Sequence, residues 1–101
     1  MKFLMFTLFD VAKTVDVAQA ADKVSKTPGQ KTIAQYVCQG MPFSGLAPNT
    51  TLAIAVVDAE SNEALAASQY PLSLAGASTW AVPVLEMQMG GVAATEKKYR
   101  K

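Results

Sequence analysis

The sequence of 101 residues contains no histidine. Within these residues a Ser–His catalytic pair, a histidine-ligated metal site and a proximal histidine for haem are therefore excluded. There is one cysteine, Cys38, so an internal disulfide is excluded as well. A lone thiol fits a reducing compartment, and we expect a cytoplasmic protein. We also expect neither a metal site nor a cofactor.

Charge and long apolar runs are scarce too. Only 17% of the residues are charged, and four of the nine basic residues lie in the last six, EKKYRK. The rest of the chain therefore has no basic face for nucleic acid. No run approaches the ~20 consecutive apolar residues of a membrane-spanning helix. We expect neither nucleic acid nor membrane as a partner.

The N-terminus partly resembles a secretion signal, with Lys2, an apolar stretch at Phe3–Phe9 and then the small residues VAQA. Three charged residues, Asp10, Lys13 and Asp16, separate the apolar stretch from these small residues. Charges in that position are costly to desolvate during translocation. We therefore expect a retained N-terminus rather than a cleaved signal.

Half of the residues are apolar, and the apolar pattern predicts four strands. The predicted strands cover residues 3–9, 31–41, 51–59 and 80–89. In the first of them, Phe3 and Met5 point to one side, and Leu4 and Phe6 point to the other. A strand that is apolar on both faces is typical of a position buried on both faces. Pro83 inside the last strand indicates an edge position or a bulge.

The pattern also predicts two amphipathic helices. The first runs over 11–26, is capped by Asp10, and presents an apolar stripe to the sheet: Val11, Val15, Val17, Ala18, Ala21 and Val24. The second begins near a cap at Ser61 and is interrupted by Pro71, with a separate helical turn at 72–75. Residues 92–101 are predicted to form a short helix or a basic tail outside a domain of residues 1–91.

The order β-α-β-β-α-β predicts an α+β fold of the ferredoxin-like class, with a four-stranded antiparallel sheet. Two helices cover only one face of such a sheet, and the strands are apolar on the second face as well. A second copy of the chain is the simplest cover for that face. We therefore expect a homodimer in which two sheets pack face to face as a dimeric α+β barrel.

Three stretches, KFLMFTLFD, EALAASQYPLSLAG and VPVLEM, resemble a small uncharacterised family of the dimeric α+β barrel superfamily. Its relatives include cofactor-independent monooxygenases, muconolactone isomerase-like enzymes, haem-degrading enzymes and stress-response barrels. The resemblance implies a cleft for a small apolar or aromatic molecule, between sheet and helices or inside the barrel. It carries over no catalytic residue, and the haem-degrading members use a histidine that is missing here.

The candidate ligand-binding residues are Thr7, Tyr36, Trp80 and Glu86. Tyr36 and Trp80 combine an aromatic ring with a polar group, and Glu86 interrupts an apolar strand. A carboxylate in an apolar cleft has a raised pKa, which makes Glu86 the candidate catalytic residue. Cys38 is interpreted as an inert thiol, and Asp10 and Asp58 as ion-paired or solvated strand ends. Four methionines are interpreted as core filling, with an adaptable pocket as the alternative: Met5, Met41, Met87 and Met89.

Three functions remain in competition. The first is a homodimer that binds a small apolar molecule without catalysis. The alternative is a cofactor-free monooxygenase-like or isomerase-like enzyme acting on an aromatic or lactone, with Glu86 as base, Tyr36 as hydrogen-bond donor and Trp80 as stacking wall. The third is a structural or regulatory dimer with a filled interior. The enzyme requires Glu86 and Tyr36 to converge on one cavity.

Overall fold

The computed structural model describes residues 1–40 and 44–100. Within them the strands form one antiparallel sheet in the order β2-β3-β1-β4. The fold is a small α+β domain with three helices, consistent with the ferredoxin-like class. Along the chain, its elements are β1 (Lys2–Asp10), a 3-10 turn (Val11–Lys13), α1 (Thr14–Val24), β2 (Gln30–Val37), β3 (Thr50–Ala59), α2 (Asn62–Leu74), β4 (Ser78–Pro83) and α3 (Val92–Tyr99).

The central strand β1 is apolar on both faces, as predicted. Phe3, Met5 and Phe9 are buried on the face covered by the helices. The core on that side combines the sheet with α1 and α2, and its buried members are Met5, Phe9, Val17, Ala20, Val24, Val57, Leu72 and Ala77. The alternate side chains of β1, Leu4 and Phe6 among them, point to the second face and are only half-buried.

We call this second face the open face. Its side chains come from all four strands, and register places them in adjacent rows: Leu4, Phe6, Leu8, Ala34, Tyr36, Ile54, Val56, Trp80 and Val82. All nine are half-buried or exposed. The rows of Leu4 and Phe6 are apolar on both neighbouring strands, so the apolar surface is continuous there. The Leu8 row differs, because Leu8 lies between Leu52, which is buried, and Ser78.

Helix α1 begins at Thr14, three residues later than predicted, and buries only part of its predicted apolar stripe. The Asp10 carboxylate accepts a hydrogen bond from the Ala12 backbone N–H at 2.8 Å, so Asp10 caps the 3-10 turn that leads into α1 rather than α1 itself. The predicted stripe is wrong for Val11, Val15 and Ala18, which are all exposed, but Val17 and Val24 of the same stripe are buried. The buried residues of α1 are Val17, Ala20 and Val24.

The rotation of α1 follows from its packing against α2. Ala20 is buried on the side of α1 that faces α2, and it lines the same groove as Pro71 and as Ala75, the residue after α2. Turning α1 towards α2 brings Val17 and Val24 to the centre of the buried stripe. Val15 is two residues from Val17, about 200° away around the helix, and therefore faces solvent.

Helix α2 begins at its predicted cap but continues through Pro71. The Ser61 hydroxyl accepts from the Ala64 N–H at 3.1 Å. The predicted interruption at Pro71 is wrong, since the helix runs unbroken to Leu74. Proline fits helical φ and sacrifices only its own N–H. The next bond, from the Ala75 N–H to the Pro71 carbonyl at 3.1 Å, is intact, and Leu72 is anchored in the core.

Strand β4 is shorter than predicted. It ends at Pro83 rather than Met89, since proline cannot donate to a sheet ladder. Its edge position, predicted from Pro83, is confirmed by the strand order. The predicted second strand ends at Val37, and Met41 lies outside the described residues.

Residues 84–89 follow β4 without forming part of the sheet and lead to α3. We call them the 84–89 segment. No residue of α3 is buried. The radius of gyration is 15.2 Å, larger than the about 13 Å of a compact chain of this length, because this end projects.

Candidate functional site

A cleft of about 310 Å³ lies between α1 and the edge strand β2. Its walls are mainly apolar, from Phe9, Val17, Ala18, Ala21, Val37 and Ala53. Polar groups are few and lie at the rim or floor: Thr14, Thr51, Asp22, Gln35 and Tyr36. We call this space the α1–β2 cleft. A concave apolar surface with a few polar groups is typical of small-molecule sites.

A smaller cavity of about 60 Å³ lies deeper, between the helices and the sheet. It shares Val17, Ala21, Gln35 and Ala53 with the α1–β2 cleft, so it is the inner continuation of that cleft. Thr7, buried on β1, contributes to the lining of this inner cavity. Gln35 stands at the junction, where its amide can both donate and accept a hydrogen bond.

Small side chains create the space. Ala18 and Ala21 on α1 face Ala53 on β3, and alanines on both sides leave a gap that larger residues would fill. Strand β2 also has a register irregularity between Thr32 and Ala34, which bends the edge strand beside the gap. The cleft therefore follows from alanine placement on two elements together with a bulged edge.

The four predicted ligand-binding residues do not share one pocket within the subunit. Thr7 lines the inner cavity. Tyr36 lies on β2 beside the α1–β2 cleft, but its register with Ile54 directs its side chain to the open face. Trp80 lies on the open face, where its ring stacks on Phe6 with centroids 5.2 Å apart and planes at 14°. Glu86 lies on the 84–89 segment beyond β4, whereas Tyr36 lies on β2 at the opposite edge of the sheet.

The surroundings of Glu86 differ from those that a general base requires. Its side chain is 65% exposed and forms an ion pair with Lys2. The hydrogen bond and the attraction of the Glu86 carboxylate raise the pKa of Lys2. Glu86 thus contacts water and a cation rather than an apolar cleft, and the convergence with Tyr36 that catalysis would need is absent within the described subunit.

A second exposed charge pair lies beside Lys2, in the row of the sheet that Lys2 shares with Asp58. The Asp58 carboxylate accepts a hydrogen bond from the N-terminal ammonium group at 2.9 Å. This hydrogen bond, with the attraction of the same ammonium charge, lowers the pKa of Asp58. Lys2 and Asp58 are register partners, so charge is concentrated at one end of the open face.

The methionines have three different surroundings. Met5 is a core residue that also lines the inner cavity. Met87 and Met89 are exposed on the 84–89 segment. Met41 lies outside the described residues. Cys38 is half-buried just after β2, and its N–H donates to the Leu52 carbonyl at 2.9 Å.

Gln35 is the cleft residue that the sequence interpretation missed. It shares a sheet face with Val37, and register pairs it with Ala55 on the helix-covered side. A polar residue at that position of an otherwise apolar alternation was the available signal.

Among residues 1–40 and 44–100, no helix combines the length and apolar character needed to cross a membrane. The same residues contain no group of three or more acidic or cysteine side chains that could hold a metal ion.

No known protein-family model matches the chain, and no curated protein matches it. Among solved structures, it is similar to a DUF3240 family protein from Shewanella baltica OS155, with a TM-score of 0.51, 12% identity, and coverage of 86% of this chain and 93% of that one. The Bacillus subtilis YxeP protein, a dinuclear metal binding peptidase of the M20 family, aligns with a TM-score of 0.36, 12% identity, and coverage of 97% of this chain and 32% of that one. At such identity the first likeness concerns the fold alone, and the second carries no inference.

Proposed function

We propose that this chain binds a small apolar molecule in the α1–β2 cleft and works as a homodimer. The observation that carries the proposal is the continuity of the cleft with the inner cavity, through Gln35 and Ala53. This continuous space is apolar on its walls, and it presents the amide of the exposed Gln35 at its rim and the hydroxyl of the buried Thr7 at its deep end. The single thiol fits a reducing compartment, so we place the protein in the cytoplasm.

The size of the cleft indicates the class of ligand. Its 310 Å³ is about twice the ~150 Å³ of an apolar cavity that accepts benzene. A molecule of one or two fused rings, or a short aliphatic chain, matches this volume. One hydroxyl or carbonyl on the ligand would pair with the Gln35 amide, because burying such a group without a partner is costly.

A titration with 2-naphthol and naphthalene, followed by amide resonances in NMR spectra, tests the cleft. We expect shifts at Val17, Ala21 and Gln35, and tighter binding of the compound that has a hydroxyl. Gln35→Leu should remove this preference while leaving naphthalene bound. Ala21→Phe should abolish binding of both by filling the space. Ala66→Phe on the exposed side of α2 is the matched control.

Three results would contradict ligand binding in the cleft. They are unchanged binding by Ala21→Phe, shifts confined to the open face, and no binding of either compound by the folded protein. Weaker binding of the two compounds by the Ala66→Phe control would contradict it as well.

The dimer is proposed from the open face. It is apolar in the Leu4 and Phe6 rows, and it is polar at the end where Lys2 and Asp58 pair and at Ser78, the partner of Leu8. The same face of a second copy would supply an equally apolar cover, and a two-fold arrangement closes without leaving a surface for further copies. The resulting assembly is the dimeric α+β barrel that the sequence predicts. The Trp80 ring, which is 40% exposed in the single subunit, would lie in this interface.

The alternative of a cofactor-free enzyme is the weaker proposal because its residues are separated in one subunit. Tyr36 lies on the edge strand β2, whereas Glu86 follows β4 at the opposite edge of the sheet. Catalysis would require a second copy to deliver Glu86 to the cleft of the first. Incubation of the unmodified chain and of Glu86→Gln with a candidate lactone or hydroxylated aromatic distinguishes the two functions. We expect both proteins to bind the compound without turnover, which favours the binding function over the enzyme.

A further inference from the structure

We infer that the 84–89 segment of each copy adds as a fifth strand to the β2 edge of the other copy, where it closes the outer side of the α1–β2 cleft. This inference rests on the proposed homodimer. It adds a specific exchange between copies and makes the second copy part of the ligand site.

The 84–89 segment has the pattern of a half-buried strand. Leu85, Met87 and Met89 alternate with Glu86 and Gln88, which is the period-2 alternation of a strand with one face covered. In the subunit this segment forms no strand, and all three apolar side chains are exposed, Met89 at 95%. A strand pattern without a sheet partner indicates that its partner lies in another molecule.

Strand β2 offers the matching edge. It pairs with β3 on one side, and its other side is the edge of the sheet. Ile33, Tyr36 and Val37 are exposed along it. Exposed apolar edge strands are templates for the addition of a further strand, and native proteins usually cover or charge them. Eight residues of β2 are long enough to pair with the five residues from Leu85 to Met89.

The segment cannot readily reach β2 of its own subunit. It leaves the sheet at Pro83, which is paired with Phe3, and the Val84 N–H donates to the Lys2 carbonyl at 3.3 Å. Strand β2 lies three strand spacings away, about 15 Å at ~4.8 Å per spacing. Crossing this distance would use about four residues at ~3.5 Å each, which leaves too few for pairing.

The interface area also favours a second copy of the chain. Four strands about 19 Å wide and about 26 Å long give an open face of roughly 500 Å². A standard stable interface buries about 800 Å² per partner. Each 84–89 segment covers roughly 200 Å² of the β2 edge that it joins. In a symmetric exchange each copy contributes this area twice, once through its own segment and once through its β2 edge. The exchanged segments therefore enlarge the contact well beyond the face alone.

The exchange has a consequence for the cleft. A strand beside β2 widens the floor of the α1–β2 cleft and places apolar side chains next to Val37, which borders it. It also brings Glu86 of the second copy near the β2 edge. The exposed ion pair of Glu86 with Lys2 would be given up in the exchange, and exposed pairs of this kind contribute little to stability.

Two truncations and a cross-link test the exchange. Removal of residues 84–101 should raise the dimer dissociation constant roughly a hundredfold or more, because three large apolar side chains per copy leave the interface. Removal of 92–101 alone is the matched control and should leave that constant unchanged. Sedimentation velocity measures both.

For the cross-link, Cys38→Ser is the common background. A Met87→Cys protein is mixed with an Ile33→Cys or Val37→Cys protein that carries a size tag, and the mixture is oxidised. We expect a disulfide between differently sized chains in at least one mixture. Failure of both mixtures, or an unchanged dissociation constant after removal of 84–101, would overturn the exchange but leave the face-to-face dimer intact. A monomeric full-length chain would overturn both.

Discussion

Trp80 offers the sharpest prediction about the open face. In the single subunit its side chain is 40% exposed and stacks on Phe6. A tryptophan presents about 250 Å² when fully exposed, so about 100 Å² remains for a second copy to cover. At ~25 cal/mol per Å², covering it stabilises the dimer by about 2.5 kcal/mol per subunit, or about 5 kcal/mol per symmetric dimer as an upper limit. Trp80→Ala should therefore weaken the dimer by roughly a hundredfold to a thousandfold, at ~1.4 kcal/mol per factor of ten.

The assay for this prediction is sedimentation velocity over a range of concentrations, with urea unfolding measured alongside. Loss of the stacking with Phe6 should lower the stability of the subunit by only ~1 kcal/mol beyond the area lost, so the variant remains folded. Tyr70→Ala is the matched control, because Tyr70 is an exposed aromatic residue on α2, outside the open face. A dissociation constant within twofold of the unmodified chain would refute the assignment of the open face as the interface.

Three further changes test individual features of the fold. Pro71→Ala restores the N–H that can donate to the Ala67 carbonyl inside α2, so urea unfolding should show a gain of about 1–3 kcal/mol; a loss would contradict the account of this helix. Gly76 has φ of +96°, a conformation that strains a residue with a Cβ atom, so Gly76→Ala should lower the free energy of unfolding by ~1–2 kcal/mol and Gly76→Asn by less. Equal stability of the unmodified chain and both variants would contradict this backbone strain. The N-terminal ammonium lowers the pKa of Asp58, so its stabilising effect should be present above the unfolded pKa of about 3.9 and be lost as the pH falls through the lower folded value. Asp58→Asn should remove this part of the acid dependence of the urea midpoint, and an identical pH profile would contradict it.

Much of the fold could be predicted because its signals are local. Asp10 caps the 3-10 turn before α1, and Ser61 caps α2, through hydrogen bonds to nearby backbone groups, and such caps depend on neighbouring residues alone. The two apolar faces of β1 follow from alternation along one strand. The exposure of Val15 could not be predicted in this way, because it depends on how α1 packs against α2.

The candidate site was less accessible to sequence reasoning. The α1–β2 cleft exists because alanines on α1 and Ala53 on β3 face each other across a gap, and this pairing between distant residues has no local signal. Continuing β4 to Met89 placed Glu86 within the sheet, whereas Pro83 ends the pairing. Glu86 and Tyr36 then lie near opposite edges of the sheet, and this separation depends on strand order rather than on sequence spacing.

The central claim is that a second copy of the chain covers the open face. The most direct measurement is sedimentation velocity of the unmodified chain from about 1 to about 100 µM, with emission of the single tryptophan, Trp80, recorded on the same samples. We predict twice the subunit mass at the upper concentrations and an emission maximum that shifts to shorter wavelength as the dimer forms. The subunit mass at every concentration, with an emission maximum that does not change, would contradict the claim.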